Sequence, residues 1–181
     1  MAVSEPLYGK NPAELAALCA ETGLPRFAAG QLARWLYVKH IENPMLMTDI
    51  PAARRALLAE RFRQVLTPPE RVTESADGTK KYLFRTLTAA EILNQIVSLP
   101  ERDTLTNVVF MGMGEPLDNT DNVLRALDIL TAEWGFGWSP TRITLSTAGV
   151  VPELRRLLDS TKVHLAVSLH NPFHEERAAI M

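Results

Sequence analysis

Residues 107–119 read NVVFMGMGEPLDN, and this stretch decides the fold. Val108 to Met111 form a short apolar run that reads as a buried strand. The run stops on Gly112, Met113, Gly114, Glu115 and Pro116, which is bare backbone beside one carboxylate. Downstream, an amphipathic helix is predicted over 120–134, a strand over 142–146, a helix over 151–159 and a strand over 163–169. Apolar strands alternating with amphipathic helices mean βαβ units and a parallel sheet. The C-terminal half therefore reads as α/β. Parallel sheets present ligands at the C-terminal ends of their strands.

Upstream the pattern is helical. Asn11-Pro12 opens a segment with Leu15, Leu18 and Cys19 at helical spacing, Asn11 serving as N-cap and Pro12 standing in the first turn. A second helix carries Phe27, Leu32, Trp35 and Leu36 on its apolar side. A third is predicted over PAARRALLAERFRQVL from Pro51, with a stripe of Leu57, Leu58, Phe62 and Leu66, broken by Thr67-Pro68-Pro69. RVTESADGTKKYLF then reads as two strands joined through Asp77-Gly78. In TAAEILNQIVSL, Thr88 and Glu91 have the spacing of a capping box. The expected layout is a helical domain over 1–66, a linker and hairpin over 67–87, and an α/β portion over 88–181.

The chain has 181 residues, 46% of them hydrophobic, and a net charge of −2, so no global nucleic-acid footprint exists, although a local basic patch remains compatible with it. No apolar run approaches a membrane-spanning length, and MAVSEPLYGK lacks a signal-peptide core, so a cytoplasmic location is expected. The single cysteine, Cys19, excludes an intrachain disulfide and any all-cysteine metal cage.

Three strand ends carry polar, compact residues: Gly112 to Pro116, Ser146 to Gly149, and Ser168-Leu169-His170-Asn171. Taken singly, each has a bland reading. Glycines punctuate many turns, Ser146-Thr147 suits a helix cap, and His170 suits a structural role. Together on one rim they favour a ligand site, with Glu115 suited to an ammonium group.

MGMGEPLDN, RITLSTAGVVP and LAVSLHNPFHEERAAIM, in that order, resemble the radical S-adenosylmethionine (SAM) RNA methyltransferases of the RlmN/Cfr family. GLPRFAAGQLARWLY and DGTKKYLF resemble that family's accessory domain and its link to the barrel. The resemblance implies a partial (β/α) radical-SAM-type barrel with an N-terminal all-helical accessory domain. By that resemblance Gly114 and Glu115 would bind the cofactor's amino group, and Ser146, Ser168, Leu169 and His170 its ribose and carboxylate. It further implies SAM and a [4Fe-4S] cluster as cofactors, and methylation of carbon 2 of an adenine in large-subunit rRNA, or in tRNA for some members. Arg26, Arg34, Lys39, Arg54, Arg55 and Arg61 would face the RNA, against the commoner reading of such charges as a solvated surface.

One departure dominates. The family's cluster motif, C-x3-C-x2-C, belongs between a KYLF-like strand and a TAAEI-like helix, and this chain reads KKYLFRTLTAAEILNQI across that point. The first barrel strand and the cluster loop are expected to be missing at a seam near Phe84-Arg85, and the family continues beyond HEERAAIM. No catalytic and no metal-binding residue is therefore expected here, and the chain is expected to be an inactive family member. The alternative is an RNA- or partner-binding remnant, with a complementing chain as one partner. An ordinary nucleotide-binding protein is disfavoured, because neither a Gly-x-Gly-x-x-Gly fingerprint nor a P-loop occurs.

Overall fold

The computed structural model describes residues 5–66, 68–83, 88–111, 114–169, 171–173, 175–176 and 178. The chain divides into two compact units, Met1–Thr104 with Arg125–Trp138, and Leu105–Leu124 with Ser139–Met181.

The first unit is built from helices and one hairpin. Helix α1 (Pro12–Glu21) starts as its sequence dictates. The Asn11 side chain accepts from the Glu14 amide at 2.9 Å, and the Glu14 carboxylate accepts from the Asn11 amide at 2.8 Å, so two orphan donors are satisfied reciprocally. Leu15, Leu18 and Cys19 are buried, as their spacing predicts. Helix α2 (Ala28–Ala33) continues into a wider π-type turn over Arg34–Val38, which buries Trp35, Leu36 and Tyr37. Phe27, expected on the apolar side, instead precedes the first turn and is 71% exposed. The Tyr37 hydroxyl donates to the Lys10 carbonyl at 2.6 Å and accepts from the Gly9 amide at 3.1 Å. Its ring packs edge-on against Tyr8 and Trp134.

Helix α3 (Ala52–Arg61) ends five residues before the expected Leu66. The cause is tertiary. From Phe62 the backbone turns extended, Arg63 bridges to Pro6, and the amides of Val65 and Leu66 are claimed by the Glu42 carboxylate at 2.9 and 2.7 Å. Those amides would otherwise have bonded back into the helix. Phe62 is thus buried from outside the helix, while Leu57 of the expected stripe is largely exposed.

Strands β1 (Arg71–Glu74) and β2 (Lys80–Leu83) pair antiparallel around the Asp77-Gly78 turn, as expected. The turn is closed by Ser75 and Thr79 backbone bonding and by the Asp77 side chain accepting from the Thr79 amide. Helix α4 (Ala89–Val97) carries the predicted capping box between Thr88 and Glu91 and buries Ala89, Ala90, Leu93, Ile96 and Val97. Residues Phe84 to Leu87, where the seam was expected, lie outside the described residues.

The second unit holds a three-stranded parallel sheet in the order β3 (Val108–Phe110), β4 (Ile143–Thr147), β5 (His164–Val167). Helices α5 (Thr120–Thr131, of which this unit takes the first residues) and α6 (Val151–Ser160) form the connections. Phe110 pairs with Leu145 and Leu145 with Leu165; Thr147 pairs with Val167. Side chains alternate along a strand, so register assigns the faces. Phe110, Ile143, Leu145, Thr147 and Leu165 share one face. Val109, Thr144, Ser146, His164 and Ala166 share the other. The first face is the more deeply buried along β4, where Ile143 and Leu145 are inaccessible to solvent. Among the described residues no helix is long and apolar enough to cross a membrane.

Candidate functional site

The parallel register brings the C-terminal ends of β3, β4 and β5 to one edge of the sheet. Beyond β3, Gly114 has φ +121°, a backbone state that strains any L side chain, and the space where its Cβ would stand is open. The main chain at this point is therefore bare and accessible. Gly112 and Met113 lie outside the described residues.

Glu115 follows, and its carboxylate is held by three donors. Its Oε1 accepts from the Leu117 amide at 3.0 Å, which caps the short 3₁₀ turn Pro116–Asn119, and from the Thr147 hydroxyl at 2.7 Å. Its Oε2 accepts from the Ala148 amide at 2.7 Å. Burial pushes this carboxyl up, but the Ala148 and Leu117 amides and the Thr147 hydroxyl outweigh it and hold the group below the usual glutamate range. Glu115 is thus ionised at neutral pH and fixed in direction, which is the state that receives a cation.

Glu115 and the β4 end are brought together, but through Thr147 and Ala148 rather than Ser146. The alternation of β4 places Ser146 on the opposite face from Thr147. Ser168 meets the same edge through its backbone, its amide donating to the Thr147 carbonyl at 2.8 Å. By alternation from Ala166 its side chain falls on the Ser146 face. Leu169 is exposed, and its carbonyl accepts from the Asn171 amide. His170 lies outside the described residues.

Sequence reasoning included Thr147 and Ala148 in the polar end of β4 but took Ser146, not these two, as the residue of the site. The available signal was parity: Thr147 is two residues from Leu145 and two from Gly149, so its hydroxyl sits at the strand end on the buried face. Gly149, with φ +95°, turns the chain there, and its amide donates to Thr147 Oγ1 at 3.0 Å.

A [4Fe-4S] cluster takes several thiolates. The chain offers Cys19 alone, fully buried in α1, and burial pushes its thiol up, away from the thiolate. Among the described residues no group of three or more His, Cys, Asp or Glu is arranged to hold a metal ion. The donor set does not fit the cluster.

Comparison with known proteins places these features. The family model described as "Radical SAM superfamily" matches residues 69–181, and "Ribosomal RNA large subunit methyltransferase N-terminal domain" matches residues 6–63. The "Probable dual-specificity RNA methyltransferase RlmN" of Parabacteroides distasonis is 42% identical over 219 residues, covering 97% of this chain and 64% of the relative. That of Porphyromonas gingivalis is 42% identical with the same coverage. The "Dual-specificity RNA methyltransferase RlmN" of Syntrophotalea carbinolica is 35% identical, covering 93% of this chain and 57% of the relative. A crystal structure of a radical SAM methyltransferase from Sphaerobacter thermophilus superposes with TM-score 0.81 at 30% identity, covering 98% of this chain and 67% of that one.

The chain thus spans slightly less than two thirds of the length of these curated relatives. The first alignment extends over 219 residues, whereas the whole chain has 181. Relatives therefore carry residues within the aligned region that have no counterpart here, in keeping with a seam inside the chain. With both family models matched and the α/β architecture shared, the chain belongs to the radical SAM superfamily, within its RlmN family of RNA methyltransferases.

Proposed function

We propose that this chain is an RlmN-type polypeptide that retains a SAM-binding edge but does not transfer methyl groups by itself. The observation that carries this reading is the single cysteine, Cys19, buried inside α1. In the family the reaction is methylation of carbon 2 of adenine in large-subunit rRNA, and in tRNA for some members. It needs cluster thiolates and a pair of reacting cysteines, none of which Cys19 supplies. In the proposed organisation residues 1–66 form the RNA-engaging domain, 67–87 the link and 88–181 the partial barrel. An RNA substrate of this kind places the work in the cytoplasm.

Retention of the cofactor edge is supported by Glu115, ionised and fixed beside the bare backbone of Gly114. The ammonium of SAM would meet that carboxylate. Ser146, Ser168, Leu169 and His170 would meet its ribose and carboxylate. Isothermal calorimetry of the purified chain with SAM is expected to show saturable binding at one site. Absence of binding up to millimolar SAM would refute retention of the edge.

A second reading, a non-catalytic RNA-binding remnant, draws on the exposed Arg26, Arg34 and Lys39 around α2. Others of the basic residues are already engaged. Arg61 pairs with Glu21 at 2.7 Å, and Arg55 donates to the Met45 carbonyl at 2.8 Å. Lys39 lies over the Trp35 ring, which leaves its charge at the surface. On this reading RNA affinity falls steeply and linearly in log–log form as salt rises. Failure to bind RNA at low salt would eliminate it, together with any RNA-engaging role for residues 1–66 on their own chain.

A further inference from the structure

We propose that Thr147 is a positioning residue, one that aims the Glu115 carboxylate and makes the site select a primary ammonium over a guanidinium. The proposal rests on the reading of Glu115 as an ammonium acceptor. Thr147 ends β4 and is 2% exposed. Its hydroxyl has one hydrogen, and the partners dictate where it goes. The Glu115 carboxylate can only accept, so the hydroxyl donates to Oε1 at 2.7 Å; the Gly149 amide can only donate, so the hydroxyl oxygen accepts at 3.0 Å. The threonine is thereby locked between the carboxylate and its own following turn.

The distribution of donors then sets what the carboxylate offers. A carboxylate has about four acceptor positions, two on each oxygen. Among the described residues Oε1 receives both Thr147 and the Leu117 amide, while Oε2 receives only the Ala148 amide. An incoming cation meets the remaining position on Oε2. A guanidinium gains its advantage from two parallel N–H bonds to both oxygens, which this arrangement denies it. An ammonium is satisfied by one oxygen at a time.

The test uses the intact chain with ¹³C-labelled glutamate, following the Glu115 carboxyl by NMR. Thr147→Val keeps the volume and removes the hydroxyl. It is expected to move the Glu115 titration upward, because one hydrogen bond to the ionised form is lost, and to weaken SAM binding up to about tenfold, because the carboxylate is no longer held in one direction. Thr147→Ser is expected to restore both. A Glu115 titration unmoved in Thr147→Val would overturn the proposal whatever SAM does. Loss of SAM binding in the unmutated chain would instead refute the ammonium reading on which it rests. Should Thr147→Val not fold, the unmutated chain still decides. Titration with methylammonium and with guanidinium, each below denaturing concentrations, is expected to shift the Glu115 carboxyl signal with methylammonium preferentially. An equal or stronger response to guanidinium would overturn the proposal.

Discussion

Glu115→Ala is expected to lower the unfolding free energy by about 2–3 kcal/mol and to weaken SAM binding by about 10–100-fold. The two effects share one cause. The carboxylate ties the turn after β3 to the end of β4 through the Leu117 amide, the Thr147 hydroxyl and the Ala148 amide. Truncation leaves these donors without their acceptor. Each unsatisfied buried group costs about 1–3 kcal/mol, and the figure stays near the low end per group because the site is only partly buried and water can reach it. Glu115→Gln separates the roles. It keeps one acceptor oxygen but turns an amide N–H₂ toward the other donor and removes the charge that a ligand ammonium requires. Its stability is expected to fall between the other two, with SAM affinity as low as in the alanine variant. Urea denaturation measures the first quantity and calorimetry the second. The pH dependence has a defined sign. The folded carboxyl is held below its unfolded range, so its contribution is present at neutral pH and is lost as pH falls through the depressed value. Glu115→Gln is expected to abolish that slope.

Glu42→Ala is expected to destabilise the chain by about 2–4 kcal/mol. Glu42 is 7% exposed and carries the chain where α3 gives out. Both of its oxygens accept from the Val65 amide at 2.9 Å, and Oε1 also accepts from the Leu66 amide at 2.7 Å. Alanine would leave the Val65 and Leu66 amides without acceptors in a segment where Phe62 and Val65 are buried. The pH behaviour is opposite to that of Glu115. Burial pushes the Glu42 carboxyl up, and the Val65 and Leu66 amides and the Arg63 charge offset this only in part. A carboxyl raised in the fold holds its proton more tightly there than in the unfolded chain. Its contribution therefore grows as pH falls from neutral through the raised value and levels off below the ordinary glutamate range. Urea midpoints at pH 7 and pH 5, compared with Glu42→Gln, are expected to show this rise in the parent and not in the variant.

These two glutamates mark the limit of what the sequence made legible. Local grammar was readable. Asn11 with Pro12, Thr88 with Glu91 and Asp77-Gly78 act within a few residues of themselves, and each forms the expected cap or turn. The apolar runs that became β3, β4 and β5 were readable as strands for the same reason, and so was the buried position of Cys19, but the expected burial of Val108 to Met111 was not met: Val109 and Met111 are 52% and 72% exposed. The end of α3 was not, because the acceptor that captures its last amides lies 23 residues away at Glu42. Phe27 stands outside the first turn of α2, so helical periodicity does not extend to it and its ring is not on the buried side. In the site, Glu115 was legible as an isolated carboxylate after glycine. Its partner was not: Ser146 drew attention by composition, whereas strand parity delivers Thr147, 32 residues along the chain from the carboxylate it holds.

The seam is the point at which sequence logic and family membership pull apart. Radical SAM chemistry depends on a cluster, and a cluster depends on thiolates that this chain cannot present from a single buried cysteine. An aligned region longer than the chain itself says that relatives hold residues absent here. The most direct test is anaerobic reconstitution of the purified chain with iron and sulfide, followed by an absorbance spectrum and an iron count. The account predicts no stoichiometric iron and no broad band near about 400 nm. About four irons per chain with that band, as a [4Fe-4S] centre gives, would contradict it.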